Sequence, residues 1–399
     1  MKELIPVNEA ESLIRKHLTK AAVETIPLAQ AQGRYLRENI LADRPLPPFD
    51  RVMMDGIAIS CSSYTAGKRT FPIAATQAAG TPAIELADKN SCIEVMTGGV
   101  LPSGCDCVIP VELIDVTDNT VTLRDDAKPR QGQHIHPTGS DTLAGQVLLS
   151  DGQLLNAPEL TIAASCGATL LKVSALPRIL IVSTGDELVA PEETPLTHQI
   201  RRSHATALST LITSRQLGLV DTIHVSDSLN ELKSALSDAL SSHDLLVITG
   251  GVSRGKYDYV APVLKELLGA PLFHGIAQRP GKPLAYWNSE GSPPVFALPG
   301  NPVSVMACAA RYLLPALTEI LSGTQPIPQR LPASGNFNCP PHFTGLTACR
   351  VINGRIQLVP PSNSGNFLAL AETDGVAELP GNSARKDLLN EPSNFYPWV

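Results

Sequence analysis

Residues 175–325 alternate short apolar segments with segments of helical, amphipathic spacing, and this alternation constrains the fold more than any other feature of the chain. Such alternation is typical of a mostly parallel sheet that is covered by helices on both faces. We therefore predict a three-layer α/β domain. The predicted strands are 178–182, 220–226, 244–249 and 295–298, and the predicted helices are 203–216, 229–240 and 303–321, the last with a kink at Pro315.

Each predicted strand is followed by a segment rich in glycine, proline or carboxylate side chains. Ligands of parallel α/β sheets bind beyond the carboxyl ends of the strands, so we expect these segments to face one cleft. A phosphate-bearing ligand with a divalent metal suits their mixture of carboxylates, cations and flexible backbone. No Walker A or G-x-G-x-x-G motif is present, which excludes the ordinary P-loop and dinucleotide-binding classes. The segments are 184–187, Asp227, 250–258 and 299–304, with two more cations in 279–283.

The segment 298–304 has the signals of a strand end and a helix start. Pro299 and Gly300 stop the strand, Asn301 is a favourable N-cap, and Pro302 lies where a missing N–H costs nothing. Free N–H groups at a helix N-terminus attract anions. By itself the segment is more simply a structural strand-to-helix turn. Beside the other strand ends, it is predicted to form one wall of an anion-binding cleft.

The remaining sequence predicts three further domains. A helix over residues 7–20, with Asn8 as a possible cap, and a helix over 157–166, ended by Gly167, belong to one domain made of 1–42 and 137–174. A β-rich insert, 43–136, interrupts it, with strands at 70–75, 92–97, 106–110 and 120–123. The α/β domain is 175–325. Residues 326–399 suggest a small β-barrel or sandwich without a visible catalytic constellation.

Composition narrows the class of protein. The 399 residues carry a net charge of −7, so no global basic field favours nucleic acid. None of the eight cysteines forms a C-x-x-C pair, which argues against a zinc site or a disulfide framework. Charges throughout residues 1–20 argue against a signal peptide, and we expect no membrane-spanning segment. We expect a soluble, cytoplasmic protein.

Seven stretches then lie in a specific order along nearly the whole chain. They are 48–56, M-T-G-G at 96–99 with its continuation to 104, 139–145, S-T-G-D-E-L at 183–188, 250–259, P-G-K-P at 280–283 and L-P-G-N-P at 298–302. In this order they resemble the MoeA family of molybdopterin molybdenumtransferases, which also includes the gephyrin E domain. The resemblance implies a multidomain α/β plus β fold with a MogA-like α/β domain, a β-rich insert, an elongated helical and strand domain and a C-terminal β-barrel.

The resemblance also implies an activity and its partners. These are the insertion of molybdate into adenylylated molybdopterin with release of AMP, Mg²⁺ as cofactor, and an elongated homodimer whose active site lies between the α/β domain of one subunit and the insert of the other. The adenylyltransferase of the same pathway is a further expected partner. No nucleic acid and no membrane are expected.

Site residues follow from the resemblance position by position. Asp55 and Thr97 would reach the site from the partner subunit. The implied catalytic residues are Asp55, Thr97, Glu187, Asp227 and Asp258. The implied metal ligands are Asp186, Glu187, Asp227 and Asp258. The implied substrate-binding residues are Gly251, Ser253, Lys282, Pro299, Gly300, Asn301, Pro302 and Ser304.

Several positions depart from the family pattern. Lys256 stands where an acidic residue is usual, and Arg202-Ser203-His204 replaces an Asp-Ser-Asn triplet. His136-Pro137 stands where basic residues are frequent, and Arg279 replaces a lysine. Arg202, His204 and Lys256 keep an alternative open, a catalytically divergent paralogue that binds molybdopterin or acts as a scaffold. A third hypothesis is a hydrolase of another adenylylated ligand.

Overall fold

A computed structural model describes residues 4–252, 258–335, 337–360, 363, 365–382 and 392–398. The chain forms two compact units. The first contains Met1–Glu38, Asp151–Ala157 and Leu170–Val399, and the second contains Asn39–Ser150 and Pro158–Thr169. The four-domain division from the sequence is finer than this one and stays a prediction.

The first unit begins with an amphipathic helix that is shorter than predicted. Helix α1 (Val7–Lys16) is followed by strand β1 (Val23–Pro27) and a 3₁₀ turn (Leu28–Gln30). The N-cap is Pro6 and not Asn8, because the extended backbone of Pro6 directs its carbonyl to the amide of Ala10. The predicted end at residue 20 was wrong, because Leu18 leaves the helix and packs against the core.

The second unit is rich in β-structure and contains the predicted insert, residues 43–136, together with residues 39–42, 137–150 and 158–169. Its main sheet has the order β7-β4-β6-β5-β9-β8, and side chains of β4 alternate between a core on each face. The strands are β2 (Ile40–Leu41), β3 (Arg51–Val52), β4 (Gly56–Ile59), β5 (Thr70–Gln77), β6 (Cys92–Val95), β7 (Cys107–Pro110), β8 (Ile114–Thr117), β9 (Thr120–Leu123), β10 (Ile135–His136) and β11 (Val147–Leu149). The helices are α2 (Cys61–Thr65), a 3₁₀ turn (Val111–Leu113) and α3 (Ala157–Ser165), of which residues 158–165 belong to this unit.

The first unit continues with the α/β part. Four parallel neighbours, β16-β13-β17-β21, form most of its sheet, and antiparallel β20 and β18 complete it. The strands are β12 (Leu170–Ser174), β13 (Arg178–Thr184), β14 (Leu188–Val189), β15 (Ile200–Arg201), β16 (Leu219–Val225), β17 (Leu245–Thr249), β18 (Phe273–His274), β19 (Gln278–Arg279), β20 (Ala285–Trp287) and β21 (Val295–Leu298). The helices are α4 (His204–Thr213), α5 (Leu229–Ser242), α6 (Val260–Leu268), α7 (Pro302–Cys308), a π segment (Ala309–Leu313) and α8 (Leu314–Ser322).

Two hydrophobic cores confirm the three-layer arrangement. Along β13, Ile179 and Ile181 pack on one face with α4, α7 and α8, whereas Leu180 and Val182 pack on the other with α5 and α6. Strands buried on both faces must be apolar throughout, which is why the sequence identified them.

The interruption predicted at Pro315 takes the form of the π segment. Pro315 has no N–H for the carbonyl of Arg311, and a wider turn before the proline accommodates the lost bond. The whole helical stretch, Pro302–Ser322, is long and apolar enough to cross a membrane by length and composition, but 72% of its apolar window is buried inside the fold. Such burial is typical of a core helix.

The C-terminal part closes into the predicted β-barrel. The strands are β22 (Gln329–Ser334), β23 (Cys339–Ile352), β24 (Arg355–Leu358), β25 (Gly375–Asn382) and β26 (Pro392–Pro397), with a 3₁₀ helix at Phe367–Glu372. They pair in the closed order β23-β24-β22-β26-β25-β23. Strand β19 from the α/β part pairs in parallel with β23, so the chain just before Pro280 runs along the barrel wall.

Candidate active site

The four strand ends singled out in the sequence lie at one edge of the sheet. Strands β16, β13, β17 and β21 are parallel neighbours, with Thr184 opposite Val225, and Thr249 opposite both Ser183 and Leu298. The segments that follow these strands therefore begin side by side. That all of them face one cleft stays a prediction.

A group of carboxylates lies at this edge. The amide of Asp227 donates to Asp186 Oδ1 over 2.9 Å. Burial raises the pKa of Asp227, and the negative charges of Asp186, Glu187 and Asp258 raise it further. The charges of the other three predicted metal ligands therefore all act on Asp227. Within the described residues, no three His, Cys, Asp or Glu side chains are grouped closely enough to hold a metal ion as they stand.

Replacing Asp227 with asparagine should raise stability at neutral pH. Because the folded-state pKa is raised, the stability from the protonated carboxyl is complete below the unfolded pKa and is lost as the pH rises through the folded value. Asp227→Asn removes this loss, so its Tm at pH 7 should exceed wild type by up to about 2 °C, with the difference vanishing near pH 4. Thermal unfolding across this range measures it. Asp238→Asn, on the exposed face of α5, is the matched control, and an equal gain there would contradict the assignment.

Glycines allow the strand ends to approach one another closely. Gly250 and Gly251 have φ values of +91° and +61°. A Cβ on Gly250 would lie 2.7 Å from the carbonyl oxygen of Thr184, and one on Gly300 would lie 3.8 Å from the Cα of Gly250. The two predicted ligand-binding turns therefore lie close together. Ser253 and Lys256 lie outside the described residues.

A cleft of about 760 Å³ opens between the α/β part and the barrel of the same unit. Its α/β wall contains Lys282, Pro299, Asn301 and Ser304 from the predicted site, together with Arg279. The barrel wall contains Phe337, Asn338, Cys339, Phe343, Leu346, Thr347 and Asn363, none of which the sequence had indicated. The available signal was the pair of phenylalanines near the barrel start, in a chain with only 4% aromatic residues.

Asn301 lies at the predicted N-cap position but does not act as predicted. It adopts the extended backbone of a cap, and its carbonyl accepts from the amide of Val305 over 2.9 Å, yet its side chain makes no capping bond. The exposed Asn301 side chain lines the cleft instead. Pro302 occupies the first turn as predicted. Ser304 is buried and lies in the wall of the same cleft.

Asp55 and Thr97 meet within the second unit. The amide and hydroxyl of Thr97 both donate to Asp55 Oδ1, over 2.7 and 2.8 Å, and these bonds lower the pKa of Asp55. Gly56 allows β4 to lie against β7, because a Cβ there would come 1.9 Å from the carbonyl oxygen of Ile109. Asp55 is thereby held at the surface as an ionised, oriented carboxylate.

The divergent Arg202 and His204 lie beside the Glu187 segment. Strands β14 and β15 are parallel, and the amide of Ile200 donates to the carbonyl of Glu187 over 2.8 Å. His204 begins α4, and burial lowers its pKa, so its imidazole is neutral near pH 7. Compared with the asparagine that is usual in the family, His204 therefore lacks the carboxamide but adds no charge near pH 7.

Comparisons with known proteins bear on both units. Residues 5–167 match the family model "MoeA N-terminal region (domain I and II)", and residues 180–319 match "Probable molybdopterin binding domain". A molybdopterin molybdenumtransferase of Synechocystis is 38% identical over 99% of this chain and all of its own length. Another from Staphylococcus epidermidis is 29% identical over 95% of this chain and 92% of its own.

A solved structure has the same fold over almost all of the chain. The MoeA molybdopterin biosynthesis protein of Pyrococcus horikoshii superposes with a TM-score of 0.82 at 25% identity, covering 98% of each chain. A second crystal structure under the same protein name gives 0.80 at 23% identity, with both chains covered completely. On the full-length identity, the two family models and this shared fold, the chain belongs to the MoeA family of molybdopterin molybdenumtransferases.

Proposed function

We propose that this protein inserts molybdate into adenylylated molybdopterin and releases AMP. The observation that carries the proposal is the position of the 760 Å³ cleft, with cations and a helix start on one wall and aromatic side chains on the other. Its Pro299–Asn301 turn lies close to Gly250, at the strand end next to the one that leads to Asp186 and Glu187. Its substrate is expected to be an anion with a planar ring system, which needs both kinds of wall.

The cleft offers complementary groups for each part of such a substrate. Arg279 and Lys282 are exposed and would balance phosphate or molybdate charge. The start of α7 adds free N–H groups and Ser304 to the same side of the cleft. Together with Arg279 and Lys282 they form what we call the oxyanion wall. On the barrel wall, Phe337 and Phe343 provide faces on which a pterin or adenine ring can stack.

The carboxylate group fits a divalent cation of the Mg²⁺ type. Burial raises the pKa of Asp227, the neighbouring negative charges raise it further, and a hard cation with oxygen preference would relieve that repulsion. Asp186, Glu187, Asp227 and Asp258 would hold the ion, which supplies charge neutralisation at the phosphate bridge. The protein's own contribution is to keep the four side chains at one edge, with the bond from the Asp227 amide orienting the Asp186 carboxylate.

A homodimer is part of the proposal. Asp55 and Thr97 form a preset pair on the second unit, and the neighbouring Met53, Met54 and Met96 are 51%, 38% and 44% exposed. Apolar exposure around an oriented carboxylate suits a surface that is covered by another subunit. We propose that Asp55 and Thr97 complete the cleft of the partner.

The protein would act in the cytoplasm, where thiols stay reduced. All eight cysteines are free, seven of them buried. The enzyme that adenylylates molybdopterin is the partner expected to supply its substrate.

The direct test is AMP release from adenylylated molybdopterin. We expect AMP release to require both molybdate and Mg²⁺. Chromatography of the nucleotide product measures it. A homologue of the family serves as the positive control. No release above background under conditions in which the homologue turns over would overturn the proposal.

The divergent-paralogue alternative is not favoured. The relative that is 38% identical over the full chain carries the transferase name. Arg202 and His204 leave the four carboxylates together, as the shared influence on Asp227 indicates.

A further inference from the structure

Gln278 is a fully buried amide at the start of the loop that carries Arg279 and Lys282. Both ends of its side chain are used. The Nε2 group donates to the carbonyl oxygen of Gly281 over 3.1 Å, and Oε1 accepts from the Tyr312 hydroxyl over 2.5 Å. A buried amide with both ends paired specifies one orientation, because rotating it would leave each group unsatisfied.

Tyr312 is itself held firmly. It is 2% exposed and lies in the π segment that precedes Pro315. Its neighbour Arg311 forms ion pairs with Glu11, over 2.7 Å, and with Glu378. The donor of the Tyr312–Gln278 bond therefore belongs to an anchored part of the fold, which ties α1, the π segment and the barrel together.

Gly281 forms the turn between Gln278 and Lys282. Its φ of +89° favours glycine, and a Cβ there would lie 2.4 Å from Cys308 Sγ and 2.7 Å from Gln278 Nε2. The turn thus packs directly on Gln278 and Cys308. Its backbone is also fixed on both sides, because Leu284 donates to the carbonyl of Gly281 and Ile276 donates to that of Lys282.

We infer that Gln278 and Tyr312 are positioning residues, which set the loop of Arg279 and Lys282 within the oxyanion wall of the cleft. Neither side chain needs to touch the substrate. Tyr312 orients the Gln278 amide, the amide holds the Gly281 carbonyl, and this carbonyl fixes the residue before Lys282. The consequence for molybdate binding rests on the proposed function, whereas the position of the loop can be measured without it.

Two variants test the inference in the full-length protein. Gln278→Met removes both hydrogen bonds at similar volume, and Tyr312→Phe removes one hydroxyl. In each, hydrogen exchange of the peptide covering residues 276–284 should become about tenfold faster well below the unfolding midpoint. Molybdate binding, followed by equilibrium dialysis, should weaken about threefold to tenfold. Tyr286→Phe is the matched control. It deletes a buried hydroxyl in the same core, one that accepts a hydrogen bond from Asn288, and should change neither the exchange rate nor the molybdate affinity.

A double-mutant cycle with Lys282→Ala distinguishes positioning from general destabilisation. If Gln278 acts through Lys282, Gln278→Met should have no further effect on molybdate affinity in the Lys282→Ala background. Unchanged exchange in both single variants would overturn the inference. Faster exchange in the Gln278→Met and Tyr312→Phe variants without loss of molybdate affinity would also overturn the inference, provided that Lys282→Ala does lower the affinity. If Lys282→Ala itself leaves affinity unchanged, the cation role in the proposed function fails, and the exchange result still decides the positioning.

Discussion

Asp258→Ala is expected to lower the kcat of molybdate-dependent AMP release by about 10²–10⁴-fold without unfolding the protein. Asp258 follows the glycine turn at the end of β17 and is half-buried. Its charge acts on Asp227, so it belongs to the carboxylate group that would hold the metal or transfer a proton. Truncating it would remove a charge that the proposed reaction needs, whereas the strands beneath it are held by apolar packing.

The measurement needs a control for the loss of a carboxylate in general. Asp238→Ala removes an exposed aspartate from α5 in the same unit and should keep wild-type kcat. Thermal unfolding of both variants verifies the fold. An Asp258→Ala protein that turns over like the Asp238→Ala control would exclude a catalytic role for Asp258.

Mixed dimers of Asp55→Ala and Asp258→Ala subunits should recover about half of the wild-type turnover per dimer. Each variant alone is expected to be inactive. If Asp55 completes the cleft of the partner, one site of the mixed dimer carries both substitutions and the other carries neither. Co-expression with two different tags and purification through both isolates the mixed species, and the AMP assay measures its rate.

The controls are the two parent variants carried through the same two-tag procedure. These should stay at background, because every site of each then lacks one carboxylate. A mixed species that also stays at background would show that Asp55 and Asp258 do not come from different subunits in one site. Failure to isolate any species with both tags would argue against the dimer itself.

The α/β sheet was largely predictable because its signals are local. Strand β21 has the predicted bounds, and β13 and β17 lie within two residues of theirs, since each is a short apolar run buried on both faces. The boundaries of α1 were less predictable. Its end depends on Leu18 reaching the core, which is a tertiary contact and not a helical signal.

The barrel wall of the cleft was not predictable from local pattern. Phe337 and Phe343 face the loop of Lys282 only because β19 adds to the barrel beside β23, which pairs Arg279 with Gly345. Strand pairing between residues so far apart has no counterpart in spacing or composition. The bond between Tyr312 and Gln278, 34 residues apart, was invisible for the same reason.

The sequence by itself determined the parallel sheet, the order of the strand ends and the residue types at each, because periodicity and turn chemistry act over a few neighbouring residues. The ordered motifs also indicated the family, which full-length identity to a named transferase then confirmed. Only the tertiary structure decided that the carboxylates interact, that Asn301 lines a cleft without capping its helix, and that a buried amide holds the loop of Arg279 and Lys282. Those outcomes depend on which distant segments pack together, and that choice is made by burial and hydrogen-bond satisfaction over the whole unit.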